Sequence, residues 1–164
     1  MNLADMRNFV VDGIRPAITS VTTTTPDGVY GQAATIDVTL NFTEPVSLTG
    51  GPIALNLNTG GTASILDFAS SVTATGSYSV ASPHTTPELN VSSITIGAAQ
   101  LTDAAGNTAI TVLPVSSNLV DTSTIVIDAI APAIQSITSA TPDATYGVGA
   151  SIDVTVNFTE NVIL

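Results

Sequence analysis

Cysteine, tryptophan and lysine are absent from these 164 residues, and histidine occurs once, at His84. Without thiols, neither a disulfide framework nor a thiolate metal site is possible. One histidine and no cysteine also rule out a zinc centre of ordinary ligand set. The only cationic side chains are Arg7 and Arg15, against thirteen carboxylates, for a net charge of -11. Such a surface repels phosphate backbones and argues against nucleic acid as a partner. It also disfavours anionic membranes and attracts divalent cations. A plainer consequence is that acidity helps keep the protein in solution. No apolar run reaches membrane-spanning length, so no membrane insertion is expected. The first seven residues hold no signal-peptide core, so an export address would lie outside this sequence.

Aromatic residues make up only 4 % of the chain while apolar residues reach 44 %. The core must therefore be aliphatic, with Tyr30, Phe42, Phe68 and Tyr78 as rare large fillers. Roughly one residue in six is Thr, and Val and Ile are frequent. Such β-branched side chains suit a pleated surface better than a helix. Gly and Pro punctuate the chain at the spacing of short strands joined by turns. The expected class is all-β.

One internal repeat organises the sequence. The segment VDGIRPAITSVTTTTPDGVYGQAATIDVTLNFTEPVSL, Val11 to Leu48, returns as IDAIAPAIQSITSATPDATYGVGASIDVTVNFTENVIL, Ile127 to Leu164. The offset is 116 residues throughout, and 23 of the 38 paired positions are identical. This divides the chain into residues 1–12, the stub of a preceding repeat with its linker; residues 13–127, one complete repeat; and residues 128–164, the first two strands of the next. Phe9 to Val11 sits where Ile125 to Ile127 sits one period later, and so reads as the last strand of a preceding copy.

Period-two alternation places strands near Ile18–Thr24, Ile36–Phe42, Ile53–Leu57, Ser64–Ser70, Gly76–Ala81, Val91–Ile96, Thr108–Leu113 and Thr124–Ile127. Eight short strands in about 115 residues fit a two-sheet sandwich of immunoglobulin-like architecture. Apolar residues of the half-repeat, Ala133 to Leu164, lack the strands that would cover them, so open edges and an exposed face are expected there.

Acidic residues recur at loop positions of both copies: Asp12 and Asp128 in the linkers, Asp27 and Asp143 in the first turn, Glu44 and Glu160 after the second strand. Asp103 and Asn107 flank a glycine turn in LTDAAGN. Hard cations such as calcium take six to eight oxygens from such groups. If the first strand runs away from the linker and the second returns, Asp27 lies at the far end and Glu44 back beside Asp12. A hairpin at Asp103 to Asn107 would join them there. The same logic gathers Asp27, Asp128 and Glu160 at the next junction. Asp and Asn are also turn formers in their own right, which accounts for part of Asp27 and Asn107 but poorly for Glu44 and Glu160.

Other residues carry plainer readings. Asp37 and Asp153 lie on the outward face of the second strand, and His84, between two prolines, reads as an exposed loop residue. The sequons at Asn41 and Asn157 fall at strand ends and are weak glycosylation signals. No Ser-His-acid arrangement and no cleft for a carboxylate pair is legible, and no enzymatic activity is expected.

VDGIRP, IDAIAP, FTEPV, FTENV and LTDAAGN, in this order and at this period, resemble the bacterial Ig-like repeats of giant surface adhesins and related secreted repeat proteins. The resemblance spans nearly all of Val11 to Leu164, and departs from the usual Thr-Ala-Pro linker at Ile14-Arg15-Pro16. It implies an Ig-like sandwich at the bacterial cell surface, acting as an extender, with calcium rigidifying junctions at Asp12, Glu44, Asp103, Asp128 and Glu160. Its partners would be neighbouring repeats of the same chain, with any host or surface ligand met elsewhere in the protein. The alternatives are a module that binds a glycan or protein, against which the scarcity of aromatics counts, and an accessory domain of a secreted enzyme.

Overall fold

The computed structural model describes residues 10–163, in two compact units that divide between Ala129 and Ile130. The strand predicted around Phe9 lies partly outside the described residues, and residues 10–16 are irregular.

In the first unit, a curled sheet of seven strands runs in the order β1 (Ile18–Thr22), β3 (Thr35–Thr49), β6 (Phe68–Ser79), β5 (Thr62–Ile65), β4 (Ile53–Leu57), β8 (Val91–Thr95). The short β9 (Gln100–Thr102) pairs with the far end of β3. A smaller sheet sets β10 (Ile125–Asp128) between β2 (Gly28–Tyr30) and β7 (Thr85–Thr86). The pairing of β10 with β2 is parallel; every other strand pairing is antiparallel. Both sheets feed one aliphatic core that includes Ile36, Val38, Leu40 and Leu55 from the large sheet and Ile125 and Ile127 from the small one. The architecture is all-β, with curled antiparallel sheets of the kind that make a sandwich.

Strand β3 is the spine. Alternate residues Ile36, Val38, Leu40 and Phe42 are buried while their neighbours face outward, as one-sided burial demands. It runs for fifteen residues, well past the predicted end at Phe42, because its register against β6 breaks between Asn41 and Val46 and then resumes. Pro45 has no N–H to give a ladder and sits inside that break, which is where a strand tolerates proline.

Four other expectations change. The alternation at Thr108–Leu113 does not form a strand: Thr108 and Ile110 each make a single bridge, to Thr102 and Ala17, and Val112 is exposed. A single-turn helix, α1 (Leu119–Thr122), appears instead nearby, held by a capping box in which the Asn118 side chain accepts from the Asp121 amide and Asp121 Oδ2 accepts from Asn118 N. The predicted break before Gly76 is absent, and β6 runs unbroken from Phe68. His84 is half-buried rather than exposed: its ring stacks on Tyr78 with centroids 5.7 Å apart, and the phenol oxygen is 2.8 Å from Nδ1. Asn41, the first sequon, lies on β3, with Nδ2 donating to Thr22 Oγ1 at 3.1 Å. Among the described residues, no helix is long and apolar enough to cross a membrane.

The second unit contains β11 (Ile134–Thr138) paired antiparallel with β12 (Thr155–Phe158). Its register, Ile134 opposite Phe158 and Ser136 opposite Asn157, repeats the irregular pairing of Ile18 with Phe42 and Ser20 with Asn41 one period earlier.

Candidate metal centre

The linker that leads into β1 is tied down by its own sequence. Asp12 Oδ1 accepts from Ile14 N at 3.0 Å, closing a local Asx turn. Arg15 Nε donates to the Thr108 carbonyl at 2.7 Å, and Ile110 N donates to Pro16 O at 2.7 Å. Thr43, in the break of β3, receives Ala17 N on its Oγ1 at 3.0 Å and returns its own amide to Ala17 O at 2.9 Å. Glu44 follows immediately. Three segments distant in sequence are thereby fastened at one end of the unit.

Asp12, Glu44 and Asp103 each bring a carboxylate oxygen there, all within 4.8 Å of one another. Asp12 is exposed, Glu44 half-buried and Asp103 only 8 % exposed. Asp103 opens a tight turn with Gly106 at φ +90°, a conformation that favours glycine. Burial alone would raise the Asp103 pKa. Donation from the Asn107 side chain and from the amides of Asn107, Ala105 and Gly106 outweighs it and holds the carboxyl below its ordinary 3.8. Glu44 has no such donors. Desolvation, then the charges of Asp12 and Asp103, push it above its ordinary 4.5.

Three carboxylates this close repel one another unless a proton or a cation enters. The donors are all oxygen, the set that suits a hard cation such as calcium or magnesium and not zinc. Three side chains fall short of six to eight ligands, so water or backbone carbonyls would complete the shell.

The remaining predicted residues stand elsewhere. Asn107 turns its Nδ2 toward the cluster, donating to Asp103 Oδ2 at 2.8 Å and to Asp12 O at 3.2 Å, so it fixes the linker to the turn instead of offering an oxygen. Asp27 is exposed but already engaged within the first unit: Oδ1 accepts from Thr124 N at 2.7 Å, fixing the start of β10. Asp128 closes β10 and is exposed. In the second unit Asp143 is exposed, whereas Glu160, the counterpart of Glu44, has a buried Oε1 with no hydrogen-bond partner among the described residues. Sequence reasoning missed the roles of Thr43 and Thr108. The recurrence of Thr43 as Thr159 was an available signal, since Thr159 Oγ1 also accepts a linker amide, Ala133 N, at 2.9 Å.

No protein-family model matches the sequence, and no curated protein or solved structure matches it either.

Proposed function

We propose that this chain is a structural extender: an immunoglobulin-like tandem repeat of a bacterial cell-surface or secreted adhesin, stiffened by calcium where one repeat joins the next. The observation that carries this reading is the meeting of Asp12, Glu44 and Asp103. One carboxylate comes from the linker, one from the irregular middle of β3 and one from the turn after β9. A cation bound there would lock the linker's direction to the domain that follows it. The orphaned Glu160 oxygen supports it, because a shielded carboxylate without a partner is costly unless something supplies one. The immunoglobulin-like assignment is supported by a first-strand region shared between two sheets, β1 pairing with β3 and β2 running parallel to β10. The role is mechanical, with no reaction assigned.

The test is a calcium titration of the chain against chelator, read by melting temperature and by the scattering-derived maximum dimension. Calcium should raise the first and narrow the spread of the second. If neither moves at millimolar calcium, the proposal fails.

A further inference from the structure

Three Asn-x-Ser/Thr triplets occur in the chain, beginning at Asn41, Asn90 and Asn157. Each has the form that an asparagine-linking glycosyltransferase accepts. The fold treats them differently. In the first, Asn41 Nδ2 donates to Thr22 Oγ1 at 3.1 Å, and Thr43 Oγ1 holds the Ala17 amide. In the third, Asn157 Nδ2 donates to Ser136 Oγ at 3.0 Å, and Thr159 Oγ1 holds the Ala133 amide. The two groups that define the triplet, the amide and the hydroxyl two residues on, are spent inside the structure in both.

Asn90-Val91-Ser92 is the exception. Asn90 is held by its backbone: its amide donates to Asn58 Oδ1 and its carbonyl accepts from Asn58 N, each at 3.0 Å. Among the described residues, neither Asn90 Nδ2 nor Ser92 Oγ makes a hydrogen bond. Asn90 Oδ1 is buried without a partner, whereas Nδ2 is not buried. The amide therefore keeps its oxygen inside and its nitrogen free.

The run alternates about the core. Leu89 and Val91 are 1 % and 2 % exposed, whereas Glu88 and Ser92 are exposed and Asn90 is half-buried. Period-two geometry thus sets Glu88, Asn90 and Ser92 on the outward side of one extended segment. Thr39 and Thr155 stand where Glu88 stands in the other two triplets, so this one alone also offers a carboxylate. Asn90 lies just ahead of Val91, the first residue of β8, and β8 ends the large sheet with β4 as its one strand partner. Asn41, by contrast, lies on β3 between β1 and β6.

We propose that Asn90 is the acceptor of an N-linked glycan, transferred from a diphosphate-linked sugar donor. In the transfer the bond from the anomeric carbon to the phosphate oxygen breaks, and its electron pair leaves with the diphosphate. Nδ2 forms the new C–N bond and releases one proton, with no oxidant or reductant involved. A glycan there stands beside an edge strand, where bulk discourages pairing with another chain. The inference rests on the extender reading only for the export of the chain, and on no bound cation.

The experiment incubates the folded full chain with a purified oligosaccharyltransferase and a lipid-diphosphate-linked glycan of known mass. Intact mass counts the glycans and peptide mapping places them. A synthetic peptide of residues 86–95 serves as the positive control for the enzyme. The expected result is one glycan, at Asn90, lost completely in N90Q and in S92A. Because the Ser92 side chain is exposed and unbonded, S92A should leave the melting temperature unchanged. No added mass on the chain under conditions that modify the peptide overturns the inference, and so does a glycan on Asn41 or Asn157. S92A should respond to calcium as the unmodified chain does, so this inference and the extender reading fail separately.

Discussion

Asn107 donates twice to Asp103, its backbone amide to Oδ1 and its side-chain Nδ2 to Oδ2, each at 2.8 Å. The same Nδ2 reaches the Asp12 carbonyl at 3.2 Å. One amide group therefore sets the orientation of a candidate ligand and the position of the linker that carries another. Groups that orient metal ligands in this way typically govern affinity by about 10–100-fold. Asn107→Ala should weaken calcium binding by that factor, measured by calorimetry, with the far-ultraviolet spectrum of the domain unchanged.

Glu44 and Asp103 respond to pH in opposite senses. With its folded pKa raised, Glu44 favours the folded chain below its ordinary 4.5, and that contribution is lost as pH rises through the raised value. Asp103, with its pKa lowered, favours folding above its ordinary 3.8 and loses that contribution as pH falls through the lowered value. At neutral pH the Glu44 charge thus opposes folding unless a cation is bound. Glu44→Gln should raise the melting temperature in chelator and remove most of the stabilisation that calcium gives the unmodified chain. A lower melting temperature in chelator would contradict this account of the cluster. In the unmodified chain, calcium affinity should fall as pH drops through the raised Glu44 value, because the proton competes for the same carboxylate.

The Tyr78–His84 pair offers a test of buried polar satisfaction away from that site. Tyr78 is buried, and its phenol oxygen faces His84 Nδ1. Tyr78→Phe removes the hydroxyl and its hydrogen bond and should cost about 0.5–1.5 kcal/mol. His84→Ala instead strands a buried hydroxyl and opens space beside Gly61, so its cost should be larger, about 1–3 kcal/mol or more. Urea melts of the two variants and the double variant give the order, and equal costs would argue that the hydroxyl finds another partner.

Much of the fold was legible because one-sided burial writes itself into alternation. Ile36, Val38, Leu40 and Phe42 announced β3, and Ile53, Leu55 and Leu57 announced β4. Where local pattern and tertiary pairing diverge, the pattern misleads. Ile110 and Val112 alternate like a strand but find no ladder, while Gly28 to Tyr30 become one only because β10 arrives from nearly a hundred residues away. The same limit applies to the acidic residues. The 116-residue recurrence singled out Asp12 and Glu44, and a simple antiparallel argument set them side by side. It also singled out Asp27, whose partner Thr124 lies 97 residues off and leaves no local trace. Asn107 was legible as an oxygen-bearing side chain, but its orientation was not.

The repeat supplies its own control for what burial is worth. Ile36 and Ile152 are the same residue at the same place in the period, at 0 % and 53 % exposure. Truncating Ile36 to Ala removes methyl groups from a packed interior and leaves a cavity, at a cost of about 2–5 kcal/mol. Truncating Ile152 removes surface that water already reaches, so the change should stay within about 0.5 kcal/mol. Backbone propensity cancels, since the substitution and its neighbours Asp and Val are common to both sites. Chemical denaturation of Ile36→Ala and Ile152→Ala, followed at Tyr78 for the first unit, measures the difference directly.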